Sequence, residues 1–424
     1  MKKNNTKLSL LIVSSVVSAV IPLTSVAENK VAIQMQTYQE NDDRIKVQDG
    51  KMSIEHDFGL DHTLNVEFDW DSISGASPTW DTVSGASQTA TSDASTGASS
   101  CIDEEGNYYT LCRDTRAIAG IIGDGSSNLD DFSYSNVELE DHRNSAALLY
   151  TYRTRKMRNE ISVGVSYSKE SDFINTGISA EYMMYTDTSK NRAITVGVSY
   201  MANEVYDYAI DKWHDFSLIN YQVGITQVFN SHMVGKFNVF YMAEEGHLSN
   251  PYFNVVRRIN VTQGELVTLG SPVNFKYYLA RESRPEQRKA GGISAQTVSQ
   301  LNDYTQWHIS YRFYQDSWDV DSHTIESKSY HQVTETIRLS PALRYYRQGA
   351  ANFFKAHDAT DYVFDETGYA SADHRLGNFD SLTVQFAVEY LPTDKLTWNI
   401  VTGYQQQSSG LTFAWVNFGA QYHY

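Results

Sequence analysis

Alternation of apolar and polar residues with a period of two is the dominant pattern of this chain, and it is clearest in Leu411–Tyr424. One parity holds Ala414, Val416, Phe418, Ala420, Tyr422 and Tyr424, and the other holds Asn417, Gly419, Gln421 and His423. Successive side chains of a β-strand point to opposite faces, so the segment predicts a strand with one apolar face. An apolar face that ends in an aromatic residue is typical of the closing strand of an outer-membrane barrel. The edge strand of a soluble β-sandwich is the alternative.

The same alternation recurs through most of the chain. Ile161–Tyr167 and Ile194–Tyr200 are almost identical, and each carries Ile, Val, Val and Tyr on one face and small residues on the other. Trp307–Phe313 and Leu382–Tyr390 form similar rows. Soluble folds rarely contain so many strands without helices, whereas in lipid a strand has no backbone partner except another strand. The pattern therefore predicts an all-β fold, a transmembrane antiparallel β-barrel.

The count of strand-like segments sets the size of this barrel. The predicted strands are 31–39, 44–58, 61–70, 132–140, 144–153, 161–167, 172–185, 194–200, 213–229, 233–243, 273–281, 307–313, 320–336, 342–354, 382–390, 394–407 and 411–424. Bacterial single-chain barrels close on an even number of strands. We therefore expect about 16 strands (14–18), with one of 31–39 and 44–58 not spanning the membrane.

A segment of different composition, residues 71–131, interrupts the strands. It is rich in Ser, Gly and Ala, is acidic, and contains three related units, Asp71–Ser77, Asp81–Ser87 and Asp93–Ser99. Loops of this length are usually functional or disordered. Alternating strand directions backward from Tyr424 places this loop on the periplasmic side, where the last strand is expected to end.

The N-terminus has the features of a secretory signal peptide over residues 1–27. Three lysines precede the apolar segment Leu8–Leu23, and small residues at Ser25–Ala27 suit cleavage. An N-terminal membrane anchor is the alternative. The predicted mature barrel, 28–424, then lies in an oxidising compartment, where Cys101 and Cys112 are expected to form a disulfide. A metal-thiolate site would need further ligands.

Composition and motifs exclude several functions. The formal net charge of −17 argues against nucleic-acid binding, which needs a basic face. No apolar run after the N-terminal segment is long enough for a membrane-spanning helix. The sequence also has no Gly-x-Ser-x-Gly elbow, no His-Glu-x-x-His pair and no phosphate-binding loop. We therefore predict that the protein is not an enzyme and nominate no catalytic residue.

Two acidic segments could hold a divalent cation, and we predict no other cofactor. Asp71, Asp81 and Asp93 in the repeats are oxygen ligands of the type that calcium prefers; a solvated loop whose Asp and Ser residues cap glycine turns is the alternative. The second candidate set is Asp316, Asp319, Asp321 and His323. Here the alternative is a tight turn whose carboxylates pair with arginines across the barrel.

Ionisable residues opposite the apolar rows are expected to face the lumen. They are Glu67, Asp69, His308, Arg312, Arg344 and Glu389. Such residues either line an aqueous channel and set its selectivity or lock one another into a plug. A sixteen-strand barrel is wide enough for a channel.

Several motifs resemble one bacterial family. They are Ser74–Pro78, Arg284–Arg288, Tyr311–Val320, Ser322–Thr324, Arg344–Gln348, Ala350–Phe354 and Ser371–Leu376. Together they are similar to the outer-membrane family catalogued as domain of unknown function 3570, although the second repeat has Gln88 where the first has Pro78. The resemblance implies a β-barrel without a settled activity. It also implies periplasmic partners, namely a thioredoxin-like protein, a flavin transferase and a small lipoprotein, in a redox or metal-handling system.

These observations lead to three functional hypotheses. The first is a channel or translocation barrel for a small solute or metal ion in the outer membrane of a Gram-negative bacterium, surrounded by outer-membrane lipid. The second is a barrel that acts as the scaffold of an envelope redox complex. The third is an outer-membrane enzyme, for which only His308 and His323 could be nominated.

Overall fold

The computed structural model describes residues 29–82, 121–126, 128–207, 211–260 and 275–424. The predicted signal peptide, Asp93, Cys101 and Cys112 lie outside this description. The strands are β1 (Lys30–Glu40), β2 (Ile45–Phe58), β3 (His62–Thr82), β4 (Ile121–Ser126), β5 (Phe132–Arg153), β6 (Glu160–Lys169), β7 (Phe173–Tyr185), β8 (Arg192–Asp207), β9 (Lys212–Asn230), β10 (Met233–Gly246), β11 (Asn254–Asn260), β12 (Phe275–Arg281), β13 (Gln287–Asn302), β14 (Thr305–Asp316), β15 (Asp321–Gln332), β16 (Ile337–Gln348), β17 (Phe379–Thr393), β18 (Leu396–Gln407) and β19 (Thr412–His423).

Sixteen of these strands form a closed antiparallel barrel. β1 pairs with both β2 and β19, which closes the ring, and the order continues through the chain with β4, β11 and β12 left out. Those three strands form a separate sheet in the order β11-β12-β4. Helical structure in the described residues consists of three short 3-10 turns, at Asn41–Asp43, Leu129–Asp131 and His374–Leu376. None of the described helices is long and apolar enough to cross a membrane.

The predicted strand number is confirmed, but three of the predicted strand assignments are wrong. Both 31–39 and 44–58 are barrel strands, β1 and β2. Residues 132–140 and 144–153 are one continuous strand, β5, because β3 extends to Thr82 and pairs along its whole length. The predicted strand 273–281 lies in the small sheet as β12, where Tyr278, Leu279 and Ala280 are all buried.

Strand β13 was not predicted because it lacks the alternating signal. Its outward positions include Gly291, Ala295, Thr297 and Ser299, and its large exposed aliphatic residues are Ile293 and, at the strand end, Leu301. Its place in the barrel is fixed by backbone pairing with β10 on one side and β14 on the other. Residues 349–354, predicted to continue a strand, leave β16 after Gln348, and Ala351 and Phe353 are buried in another cluster.

The two ends of the barrel differ in the length of their connections. At the turn end, where β1 begins and β19 finishes, the connections are 59–61, 154–159, 186–191, 231–232, 303–304, 333–336 and 394–395. At the opposite end, the loop end, they are 41–44, 83–131, 170–172, 208–211, 247–286, 317–320, 349–378 and 408–411. The repeat segment therefore lies at the end opposite the finish of β19. The prediction that it lies at the same end is wrong, because β5 was counted as two strands, which reverses every strand direction before it; the omission of β13 and the inclusion of β12 cancel in the count.

Long connections at the loop end fold into a cap. The cap comprises residues 121–126, 247–260, 275–286 and 349–378, and its core includes Val255, Val256, Leu279 and Phe364. The connection 247–286 leaves the barrel between β10 and β13. Its Tyr252 nevertheless packs on the inward-facing Ile45 of β2 and Ile73 of β3. In the ring of sixteen strands β2 lies half-way round from β13. The cap therefore crosses the barrel mouth from wall to wall.

Candidate functional site

A buried ionic network holds the cap together. Arg284 Nε lies 2.6 Å from Glu282 Oε1, and its Nη2 lies 2.8 Å from Asp373 Oδ2. Arg375 Nη2 lies 2.6 Å from the same Asp373 oxygen, and Ser371 donates to Glu282. Glu282 is 4% exposed and Asp373 1% exposed. Burial alone would raise the pKa of Asp373, but Arg375 and Arg284 hold that pKa well below its usual range.

The cap is tied to both walls of the barrel by side chains. On the β1–β2 side, Arg44 Nη2 lies 2.9 Å from His374 Nε2. On the β16 side, the Gln348 amide donates to the backbone oxygens of Arg375 and Gly377, at 2.8 and 2.7 Å. Trp318, in the turn between β14 and β15, packs with the cap residue Phe353 in an edge-on arrangement. These contacts make the cap a fixed layer over the lumen.

Beneath the cap lies a cavity of about 260 Å³ with an unusually cationic lining. Four of its lining residues are arginines: Arg288, Arg312, Arg344 and Arg375. Hydroxyl and amide groups complete its polar lining: Tyr314, Ser322, Thr324, Tyr346 and Gln348. Strands β13 to β16 supply the wall, because inward positions on neighbouring strands come into register, as in Arg312↔Thr324 and Thr324↔Tyr346. The cap supplies the roof.

Among the residues that the structure describes, two of the four arginines form ion pairs with carboxylates. Arg288 donates to Asp316 from Nε and Nη2, at 2.8 and 2.6 Å, and Arg375 binds Asp373. Arg312 lies over the ring of Phe240, 4.7 Å from its centroid, and Arg344 lies 5.4 Å from that of Tyr346. In the part of the chain that the structure describes, neither Arg312 nor Arg344 has a carboxylate within ion-pair distance. The cavity can therefore accept negative charge from a solute.

The other predicted lumen residues occupy different parts of the wall. Glu67 and Asp69 on β3 are both close to Lys51 on β2, and Ser145 donates to Asp69 at 3.1 Å. Glu389 pairs with Arg338 at 3.3 Å. The His308 ring packs near Tyr330, 4.9 Å between centroids. These residues are distributed along the lumen and do not join the arginine-lined cavity.

The four residues of the second predicted metal set do not converge. Asp316 is buried and accepts hydrogen bonds from Arg288, from the Tyr314 hydroxyl and from the backbone of the following turn. Asp319 accepts instead from Asn352, and Asp321 lies 3.8 Å from His323. The lone pairs of Asp316 are thus used to close the turn and to bind Arg288 of the neighbouring strand β13.

The repeat aspartates are only partly described. Asp71 is buried on the inward face of β3 and forms an ion pair with Arg143 of β5. Asp81 lies near the end of β3, and its side chain is outside the described part, as is all of Asp93. β3 continues to Thr82, so the first repeat is strand and not loop.

Sequence reasoning nominated Arg312 and Arg344 but missed Arg288, Arg375 and the network around Arg284. All three lie in the motifs on which the family resemblance rests, and they come together from segments far apart in sequence. The clustering of Arg with Tyr and Asp in those motifs was the available signal. Periodicity carried no such signal, because Arg284 and Arg375 lie outside any strand.

Comparisons with known proteins identify the family. No curated protein matches the sequence. Among solved structures, the chain is similar to the siderophore receptor PirA from Pseudomonas aeruginosa, with 5% identity, 91% of this chain and 57% of that chain covered, and a TM-score of 0.39. It is also similar to a bacterial polysaccharide outer membrane secretin, with 6% identity, coverage of 93% and 98%, and a TM-score of 0.46.

A third similar structure is CdiB from Acinetobacter baumannii, with 8% identity, coverage of 93% and 60%, and a TM-score of 0.47. The chain thus spans little more than half of the length of the receptor PirA. These structural likenesses are too distant to bear on function. The family model described as "Protein of unknown function (DUF3570)" matches residues 8–221 and 204–416, which confirms the resemblance seen in the motifs. The chain belongs to this family, and its fold is a closed barrel of sixteen antiparallel strands.

Proposed function

We propose that this protein is a barrel of the Gram-negative outer membrane that passes small anionic solutes through its lumen. The observation that carries the proposal is the cavity under the cap, where Arg312 and Arg344 face the lumen and form no ion pair with a carboxylate of the described residues. Rings of Arg or Lys select anions in pores, and they repel metal cations. Of the two cargoes considered from sequence, the lining therefore favours a solute over a metal ion.

The outer surface supports a membrane location. Each of the sixteen barrel strands presents at least one large apolar side chain that is exposed, such as Val165 (55%), Val384 (52%) and Val416 (53%). Exposed tyrosines such as Tyr167 and Tyr422 extend the same outward rows. An apolar surface that runs round a whole barrel is far larger than soluble monomers tolerate, and lipid is the environment that would cover it.

The cap gives the proposed channel a controlled entrance. Because the cap crosses the mouth and is held by charge pairs, it would restrict flow in its closed position. Outer-membrane barrels have short periplasmic turns and longer extracellular loops. The loop end and its cap would therefore face the cell exterior, and solute would enter from that side.

Single-channel recording on the purified protein in a planar lipid bilayer tests this proposal. We expect discrete ion currents, interrupted by closures, and a larger open fraction in a variant that lacks residues 355–369 of the cap. A lumen that conducts no ions in either protein would contradict translocation. That outcome would leave the scaffold of an envelope complex as the better hypothesis.

A further inference from the structure

A second polar cluster lies at the loop end, away from the arginine-lined cavity. β5 projects beyond β6: the last pairing between these strands is Asn144↔Lys169, and earlier residues of β5 pair only with β3. The turn between β6 and β7, residues 170–172, therefore rests against the projecting β3–β5 hairpin. Asp141 comes from β5, whereas Glu170 and Asp172 come from the turn.

The three carboxylates are close together and buried. One oxygen from each of Asp141, Glu170 and Asp172 lies within 4.8 Å of the other two. Asp141 is 5% exposed, Glu170 8% and Asp172 1%. The backbone holds the arrangement, since the amides of His142 and Ser171 both donate to Asp141 Oδ1, at 2.7 and 3.3 Å. Three acidic groups at this separation repel one another strongly in a medium of low dielectric constant.

The cluster also has an unsatisfied ligand atom. Among the described residues, the buried Glu170 Oε2 has no hydrogen-bond partner. The nearby cation, Arg143, forms its ion pair with a fourth carboxylate, Asp71. A buried carboxylate oxygen without a donor is costly, and a bound cation would remove that cost.

We propose that Asp141, Glu170 and Asp172 form a binding site for a calcium ion. All three ligands are carboxylate oxygens, which suits a hard cation, and the cluster offers no nitrogen or sulfur for a transition metal. Calcium tolerates irregular geometry and up to eight oxygens, so backbone carbonyls and water can complete its shell. The bound ion joins the β6–β7 turn to the β3–β5 hairpin. This site does not depend on the proposed transport function.

Isothermal titration of the purified, metal-free protein in detergent with CaCl₂ tests the site. We expect one saturable site in the wild type, no measurable binding in Glu170→Gln, and unchanged binding in the control Glu335→Gln, whose exposed carboxylate lies in a turn-end connection. MgCl₂ should bind more weakly, because magnesium demands near-ideal octahedral geometry.

Folding of each variant is checked by the mobility shift of the intact barrel on an unheated SDS gel. If Glu170→Gln does not fold, Asp172→Asn replaces it, with the same expected loss of binding. Absence of calcium binding in the wild type would overturn the proposal. Wild-type affinity in a folded Glu170→Gln or Asp172→Asn variant would also overturn it, as would tighter binding of magnesium than of calcium.

Discussion

At the scale of single residues, His374 is the group whose charge state bears most directly on the cap. Its Nε2 lies 2.9 Å from an Arg44 nitrogen, so Arg44 donates and the ring accepts in its neutral form. The pKa of His374 is lowered to about 4, mainly by burial, with further lowering by Arg44 and Arg375 and an opposing effect of Asp373. A protonated ring would turn this hydrogen bond into a contact between two cations.

Acidification is therefore expected to loosen the cap. Between pH 6.5 and about 4, His374 would bind a proton when the cap is open but not when it is closed. Over this range the free energy that favours the closed cap therefore decreases by roughly 2–3 kcal/mol. Hydrogen exchange of the β11 and β12 amides should accelerate as the pH falls through this range, after correction for the intrinsic pH dependence of exchange.

The variant His374→Gln isolates the contribution of the histidine. Burial raises the pKa of Glu282, so protonation of this carboxyl as the pH falls stabilises the closed cap and opposes the effect of His374. The glutamine variant should therefore show a smaller acid-induced acceleration than the wild type, and the cap residue His247, whose pKa is also lowered to about 4, should account for the remainder. Equal acceleration in wild type and variant would show that His374 does not control the cap.

At the scale of elements, the cap depends on the paired charges at its centre. Removing Arg284 would leave Glu282 and Asp373 buried without their shared partner, and losing one member of a buried ion pair costs about 3–5 kcal/mol. Arg284→Ala should expose β11 and β12 to limited proteolysis while the barrel keeps its gel mobility shift.

Arg258→Ala is the matched control for that change. Arg258 is also a cap arginine paired with an aspartate, at 2.6 Å from Asp365, but both side chains are exposed, at 43% and 73%. Exposed pairs contribute only about 0–1 kcal/mol. Similar protease resistance in Arg284→Ala and the wild type would contradict the role given to the buried network.

Strands with a strong apolar row could be predicted from sequence, whereas strand partners could not. β6, β8, β17 and β19 follow from alternation because their outward faces are exposed rows of large apolar side chains. β12 alternates equally well, but both of its faces are covered in the cap. β13 shows the opposite case, since its small outward residues are tolerated once neighbouring strands satisfy its backbone.

In the candidate site, too, the side-chain direction of a strand residue could be predicted from sequence, whereas contacts between distant segments could not. Arg312 and Arg344 could be assigned to the lumen by parity alone, because side-chain direction in a strand is a local property. Arg288 joins them through β13, a strand that alternation did not reveal. Arg375 joins them only through the fold of the cap, which brings it next to residues almost ninety positions earlier in the chain. Alternation carries no information about such contacts.

At the scale of the whole molecule, the difference between the two ends predicts an orientation. An epitope inserted after Gly410, in a loop-end turn, should be recognised by antibody on intact cells. The same epitope after Gly59, in a turn-end connection, should be recognised only after permeabilisation. Both glycines have positive φ and open space around them, so the two insertions are matched. Surface labelling at Gly59 and not at Gly410 would reverse the proposed orientation.

If Arg312 and Arg344 select anions in the lumen, the reversal potential across a bilayer with a KCl gradient will show it. The wild type should pass chloride in preference to potassium, and Arg312→Gln combined with Arg344→Gln should lose that preference. Arg155→Gln, which changes an 89% exposed arginine at the turn end, should retain it. A cation-selective wild type, or a double variant with unchanged selectivity, would contradict the claim.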